Sequence, residues 1–250
     1  MAPATRRRSG PLAPGQLPLA LDGAAAVSGG ISSPDVASGP AGPITPMMAG
    51  HRPAPFDDQD YFFEPWWPGT RAFAYAGDRF RLETDHLADA LATFPELGVI
   101  PSQLGARDVV LDGTLLVLDD EGRPDLELLR RRLANADATG GEAAFVASDL
   151  LRVDGLSMTE RPFSERHRRL REVLRDGRLC VASRGLRGEG VMLAEAVASM
   201  GLAAISARCL TSRYVAGQAD DEWLRLPVVE TPAPQTRPLL VLLERLPLDT

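Results

Sequence analysis

Two apolar runs constrain the fold of this chain more than any other feature. The first is Val109-Val110-Leu111-Asp112-Gly113-Thr114-Leu115-Leu116-Val117-Leu118, stopped by Asp120-Glu121-Gly122, and the second is Ala143 to Leu151. Continuous apolar runs of this length, bounded by turn residues, are the pattern of strands rather than of amphipathic helices. The first reads as a bent strand or a strand pair and the second as a buried strand, followed by a turn at Val153-Asp154-Gly155. Upstream, Phe62-Phe63-Glu64 is extended and runs into a turn over Pro65 to Gly69. Arg71-Ala72-Phe73-Ala74-Tyr75 alternates as a strand, turns at Gly77-Asp78 and returns over Arg79 to Glu83. Ala203 to Ala207 and Glu222 to Leu226 read as further strands. Helical spacing is found over His86 to Leu97, Pro124 to Ala134, Pro162 to Leu174 and Val191 to Met200. Strands and helices mix without a regular βαβ repeat, which makes the class α+β.

Composition sets the limits of this domain. Residues 1 to 44 are rich in Ala, Gly, Pro and Ser and lack a periodic apolar pattern. Such a segment buries too little surface to offset its ordering entropy, so a disordered tail is expected there. Aromatics and apolar alternation begin after Pro43-Ile44-Thr45-Pro46-Met47-Met48. No apolar run approaches the ~20 residues that span a bilayer. Arg6, Arg7 and Arg8 are not followed by a continuous apolar stretch, so no export signal is expected and the cytoplasm is the expected location. Cys180 and Cys209, with His51, His86 and His167, are too few for a disulfide framework or a Cys/His metal cluster.

The formal net charge of -7 gives no electrostatic case for nucleic acid. The arginine groups at Arg130, Arg131 and Arg132, and at Arg166, Arg168, Arg169 and Arg171, read as solvated helix faces. All 27 basic residues are arginine, and the chain contains no lysine.

Four segments in order resemble the catalytic domain of ATP-dependent DNA ligases, especially the bacterial ligase-domain type. Glu64-Pro65-Trp66-Trp67-Pro68-Gly69-Thr70-Arg71 resembles E-P-K-W-D-G-x-R. Val110 to Asp119, running on through Gly122-Arg123-Pro124-Asp125-Leu126, resembles V-L-D-G-E-L-V-V-L-D followed by G-R-P-D-F. Phe145 to Gly155 resembles F-V-A-F-D-L-L-x-L-D-G. Gly201 to Arg208, Ser212-Arg213-Tyr214 and Trp223-Leu224-Arg225 resemble G-L-E-G-V-V-A-K, S-P-Y and W-L-K-V-K. Each motif alone is weak; four in order over residues 44 to 228 are not. A competing match at Glu189-Gly190-Val191 reads more simply as the start of the preceding helix.

The resemblance implies a nucleotidyltransferase domain of the DNA ligase and mRNA capping enzyme type, with antiparallel sheets, flanking helices and an ATP-grasp-like character. It also implies DNA repair or recombination, with ATP and Mg2+ as cofactors of intact members. Their reaction begins when a lysine amine attacks the α-phosphate of ATP. Here Trp66 holds that position, and its indole N–H is a donor only. Arginine does not substitute, because its guanidinium stays protonated. By the same match Pro68 replaces an aspartate, Thr114 and Ala203 replace carboxylates, and Ser148 replaces the aromatic that stacks on adenine. Arg208, Arg225 and Pro227 stand where the family has lysines.

The expectation is a degenerate member without adenylation or nick sealing, acting as a binding or regulatory module. No catalytic residue, metal site or cofactor is expected. Glu64, Arg71, Ser148, Arg208 and Arg225 are vestigial nucleotide-binding candidates. Trp66 and Trp67 are expected to fill the former nucleotide pocket. The residues after Val228, with Pro232 and Pro234 and then Leu239-Leu240-Val241-Leu242-Leu243, suffice for one strand or helix but not for the OB-fold barrel with which ligases clamp DNA. The alternatives are a residual ATP- or nucleic-acid-binding protein, or a scaffold partner of an intact ligase. DNA and a ligase or repair protein are the candidate partners, and no membrane is expected.

Overall fold

The computed structural model describes residues 44–228, apart from 137 and 218, together with Leu239. The expected disordered tail up to residue 43 lies outside the described residues, as does the C-terminal segment from 229 apart from Leu239. In chain order the first elements are β1 (Met48–His51), β2 (Asp57–Pro65), β3 (Thr70–Ala76), β4 (Phe80–Thr84) and β5 (Val109–Leu118). Helix α1 (Leu126–Ala134), β6 (Glu142–Val153), β7 (Leu156–Ser157) and α2 (Phe163–Val173) follow. The last are β8 (Cys180–Ala182), β9 (Leu186–Glu189), α3 (Gly190–Ser199), β10 (Ala204–Cys209) and β11 (Ala219–Pro227).

These strands form two sheets. One has the order β1-β11-β10-β2-β9, antiparallel except that β1 runs parallel to β11. The other has the order β4-β3-β5-β6-β7, antiparallel throughout, with β8 added parallel to β6. The class is α+β, as the pattern of elements predicts.

The two apolar runs are β5 and β6, neighbours at the centre of the second sheet, and both of their faces are covered. Leu115, Val117, Phe145 and Ala147 face a core shared with Leu129 of α1, Leu170 of α2 and Phe94, Leu97 and Ile100. Leu116, Leu118, Ala144 and Val146 face a second core, shared with Phe63, Ile205 and Leu224 of the first sheet and with Leu193 and Val197 of α3. Leu239 is buried in this second core, and its N–H donates to the Gly122 carbonyl at 2.7 Å. Each fully buried side chain of this size contributes roughly 1.5–3 kcal/mol. Coverage on both faces is why these strands lack the polar alternation of a half-exposed sheet.

The pairing of β5 with β6 shifts register between Val110 and Leu111 and again between Asp112 and Gly113. The extra residues, Leu151 and Ser148, lie on β6, so β6 bends opposite Asp112 and Gly113. A Cβ on Gly113 would collide with the Val146 carbonyl oxygen and the Phe145 ring. The Asp154-Gly155 turn joins β6 to β7 with φ of 50° and 80°, the pattern of a type I′ hairpin.

Three sequence expectations need correction. His86 to Leu97 is not an α-helix: a short 3-10 turn at Ala90–Ala92 is followed by a 3-10 segment over Pro95–Gln103. Pro95 pushes Phe94 out of the helical region, to φ -128° and ψ 61°, and Pro101 prevents a regular helix beyond it. The two arginine groups are not uniformly solvated. Arg132 is buried against Glu96, with Nη1 2.6 Å from Oε1, and also donates to the Thr93 carbonyl at 2.6 Å. Arg166 is likewise buried. Short strands β1, β8 and β9 carry no alternation that sequence reading detects. No helix among the described residues is long and apolar enough to cross a membrane.

The close approach at Gly113 yields a direct test. Gly113→Ala is expected to lower stability by roughly 1–3 kcal/mol through overpacking at the β5–β6 contact. Urea denaturation measures it, and an unchanged midpoint would mean that the two strands spread without cost.

Candidate functional site

A cavity of about 730 Å³ opens between the two sheets, where β2 turns into β3. It brings together Glu64 and Trp66 from the end of β2 and its turn, and Arg71 from β3. Thr114 and Ser148 enter from β5 and β6, and Arg208 and Arg225 from β10 and β11. Ala203 is not among the lining residues; it is exposed at the entry to β10, and its carbonyl accepts the Val228 N–H at 3.0 Å. One wall is β1, with Met48, Gly50 and His51, a contribution that sequence reading missed. Asp85 and His86 line the mouth.

Two ion networks organise the cavity. In the first, Arg71 forks onto Asp112, with Nε to Oδ1 at 2.9 Å and Nη2 to Oδ2 at 2.5 Å. Arg71 also donates to the Met47 carbonyl and to the Tyr214 hydroxyl, the latter at 3.1 Å. The Tyr214 hydroxyl donates to Asp112 Oδ2 at 3.0 Å and accepts the Met47 N–H at 3.1 Å. Burial, and then the Asp112 carboxylate, push the Tyr214 phenol well above its ordinary pKa, so it stays a donor. Tyr214 thereby ties the start of β1 to β3 and β5.

In the second network, Asp149 accepts a fork from Arg166, with Nε to Oδ1 at 2.8 Å and Nη2 to Oδ2 at 2.9 Å. Arg208 Nη1 reaches the same Oδ2 at 3.0 Å, and the Leu150 N–H reaches Oδ1 at 2.8 Å. Burial alone would raise the Asp149 pKa; the two guanidinium groups and the Leu150 N–H outweigh it and hold the carboxyl below its ordinary value. Arg208 also lies 3.2 Å from Glu64 Oε1 through its Nε, although that N–H is not aimed at the oxygen. Glu64 Oε2 makes no well-formed hydrogen bond, although the Ser183 hydroxyl is near enough to favour the ionised carboxylate. Burial raises the Glu64 pKa, and the opposing pull of Arg208 does not cancel it. The networks meet at Ser148, whose hydroxyl accepts from Arg208 Nη2 at 3.2 Å and approaches the Asp112 carbonyl at 3.4 Å.

The indoles divide between core and cleft. Trp67 is buried in the second core, with Nε1 3.3 Å from Ser183 Oγ. Trp66 is only half-buried and stacks beside Trp223, with ring centroids 6.0 Å apart and planes 27° apart. Trp223 donates to Ser206 Oγ at 2.8 Å, and the Arg71 and Arg208 guanidinium carbons lie 4.8 Å and 4.4 Å from its ring. Arg225 stands 5.4 Å over Trp66. The expectation that both indoles plug the pocket is thus corrected. Both lie in the turn between β2 and β3: Trp67 packs into the core and touches the cavity only from there, while Trp66 is left as a wall beside open space.

The carboxyl groups lining the cleft are Glu64, Asp85 and Asp112. Two of them face arginines, and among the described residues no group of three or more His, Cys, Asp or Glu side chains could hold a metal ion. A divalent metal does not fit this donor set. Asp149 falls within the Phe145 to Gly155 motif, but sequence reading missed its partner Arg166. The only signal available was one arginine among four on α2.

A sequence profile described as the ATP dependent DNA ligase domain matches residues 47–225, more than half of the chain and the span that carries both ion networks. The chain belongs to the ATP-dependent DNA ligase family. It is 33% identical over 169 residues to the Probable DNA ligase of Streptomyces griseus subsp. griseus, covering 62% of this chain and 33% of that protein. It is 28% identical over 184 residues to the multifunctional non-homologous end joining DNA repair protein LigD of Mycobacterium tuberculosis, covering 73% of this chain and 24% of LigD. The chain therefore spans a third or less of these relatives. The solved structure of mycobacterial DNA ligase D complexed with ATP and MES shares the fold, with a TM-score of 0.63 and 24% identity over 74% of this chain and 60% of that one.

Asp149 supplies the test of the site's architecture. Asp149→Asn leaves Arg166 buried beside a neutral amide and is expected to cost roughly 3–5 kcal/mol. Because the folded-state pKa of Asp149 lies below its ordinary 3.8, its contribution is present above that value and is lost as pH falls through the depressed value. Urea denaturation at neutral and acidic pH should show the variant less stable at neutral pH and less sensitive to acid. Equal midpoints at both pH values would contradict this account.

Proposed function

We propose that this chain is a non-adenylating member of the ligase family that holds its ligand without covalent attachment. It acts as a binding or regulatory module in DNA repair or recombination, alongside DNA or an intact ligase. The observation that carries this reading is Trp66, which stands at the family's nucleophile position and lines an open cleft in a chain with no lysine. Adenylation needs a lone pair that can attack the α-phosphate, and the indole nitrogen offers only a donated N–H. Two of the three carboxyl groups lining the cleft, Glu64 and Asp112, face arginines rather than open coordination space, which leaves Asp85 alone to hold a metal that would assist phosphoryl transfer.

The open cleft supports retained ligand binding over a purely structural scaffold, because a packed indole plug is what a scaffold would tolerate and the cavity is not plugged. The acidic balance of the whole chain supports a protein partner more than direct clamping of DNA.

Incubation of the full chain with α-labelled ATP and Mg2+ should leave no label on the protein after denaturation in detergent. A label that survives denaturation would overturn the reading and point to another nucleophile, with His51 and His86 the imidazoles lining the cavity.

A further inference from the structure

The charges of the cleft are balanced against each other, and this bears on what it holds. Three arginines line it, Arg71, Arg208 and Arg225, against three carboxyl groups, Glu64, Asp85 and Asp112. Arg71 is held by both oxygens of Asp112, and Arg208 lies between Asp149 and Glu64. A guanidinium committed to a buried carboxylate is a poor phosphate ligand, because turning to the phosphate would leave that carboxylate buried and unpaired. Among the described residues only Arg225 of the three makes no ion pair, and its described neighbour is the Trp66 ring. Among the described residues the cleft therefore offers one arginine free of a carboxylate, with the imidazoles of His51 and His86, and no metal-holding cluster, where a triphosphate brings several negative charges.

Two further features describe the rest of the ligand. Trp66 is half-buried and presents indole surface to the cavity beside Trp223. Stacking of a base on such a surface contributes roughly 1–3 kcal/mol. Glu64 Oε2 is fully enclosed at the cavity wall without a well-formed hydrogen bond, with the Ser183 hydroxyl its nearby polar group. A buried polar atom left unpaired costs about 1–3 kcal/mol, which a polar ligand edge would recover.

We propose that the cleft is a site for a planar heteroaromatic ligand carrying at most one phosphate, a nucleoside or nucleoside monophosphate. In this assignment the base stacks on Trp66, Arg225 takes the single phosphate, and triphosphates gain nothing. This rests on the non-covalent reading above and narrows it. The same pairing that holds the sheets together removes the cations a triphosphate would use.

The test is equilibrium titration of the full chain with adenosine, AMP and ATP, the last with and without Mg2+. AMP should bind more tightly than adenosine, and ATP no more tightly than AMP in either condition. Trp66→Ala should weaken adenosine and AMP about tenfold while Trp66→Phe retains most of the affinity, since a phenyl ring still stacks. Arg225→Gln should bring AMP down to the affinity of adenosine. ATP binding more than about tenfold tighter than AMP, a gain of ~1.4 kcal/mol, would overturn the proposal and leave the non-covalent reading intact. So would Trp66→Ala with unchanged affinity and an unchanged denaturation midpoint, or no binding by any of the three ligands. Covalent labelling by ATP would instead strike at the reading on which the proposal rests.

Discussion

Asp149 is buried within reach of two guanidinium groups, and much of the rest of the molecule is arranged around it. Arg166 reaches it from α2 and Arg208 from β10, so one carboxylate on β6 joins a helix, the second sheet and the first sheet. Arg208 extends the chain of charges to Glu64 on β2, and Arg166 donates to the Arg161 and Ser212 carbonyls. Buried ion pairs of this kind add little net stability compared with apolar packing, yet losing one partner is severe. They tie β6 to α2, β10 and β2, so displacing any one of these elements would leave a buried charge unpaired.

The Arg71–Asp112–Tyr214 cluster does the same at the other side of the cleft, drawing β1 in as a wall. An arginine can hold a carboxylate with two parallel hydrogen bonds, whereas a lysine ammonium acts as a point charge. A site furnished only with arginines is therefore good at structural pairing and incapable of supplying a neutral amine. Arg208 illustrates the consequence: at the wall of the cleft it is bound into the ion network with Asp149 and Glu64.

What was legible in the sequence was the part governed by local pattern. The β5 and β6 runs, the Gly77-Asp78 and Asp154-Gly155 turns, and helices α1, α2 and α3 appear close to where their residues predict them. The segment from His86 to Leu97 misled because apolar spacing outweighed Pro95 in the reading, while in the folded chain the proline decides the backbone. Strand β1 was invisible for a different reason. Met48-Ala49-Gly50-His51 has no alternation of its own and becomes a strand by pairing with β11, far away in sequence.

The candidate site divides along the same line. The absence of a lysine and the placement of Trp66, Thr114 and Ser148 in the ordered motifs follow from the sequence alone, since side-chain chemistry does not depend on where the chain goes. Whether Arg71, Arg208 and Arg225 are available to a ligand does depend on it. Only the tertiary structure brings Asp112 to Arg71 and Asp149 to Arg166 and Arg208, and it leaves Arg225 beside an indole. It also decides that Trp67 turns into the core while Trp66 borders an open cavity. Neighbouring identical residues are separated there by backbone direction and by pairing across some forty to a hundred and forty positions, which no local pattern encodes.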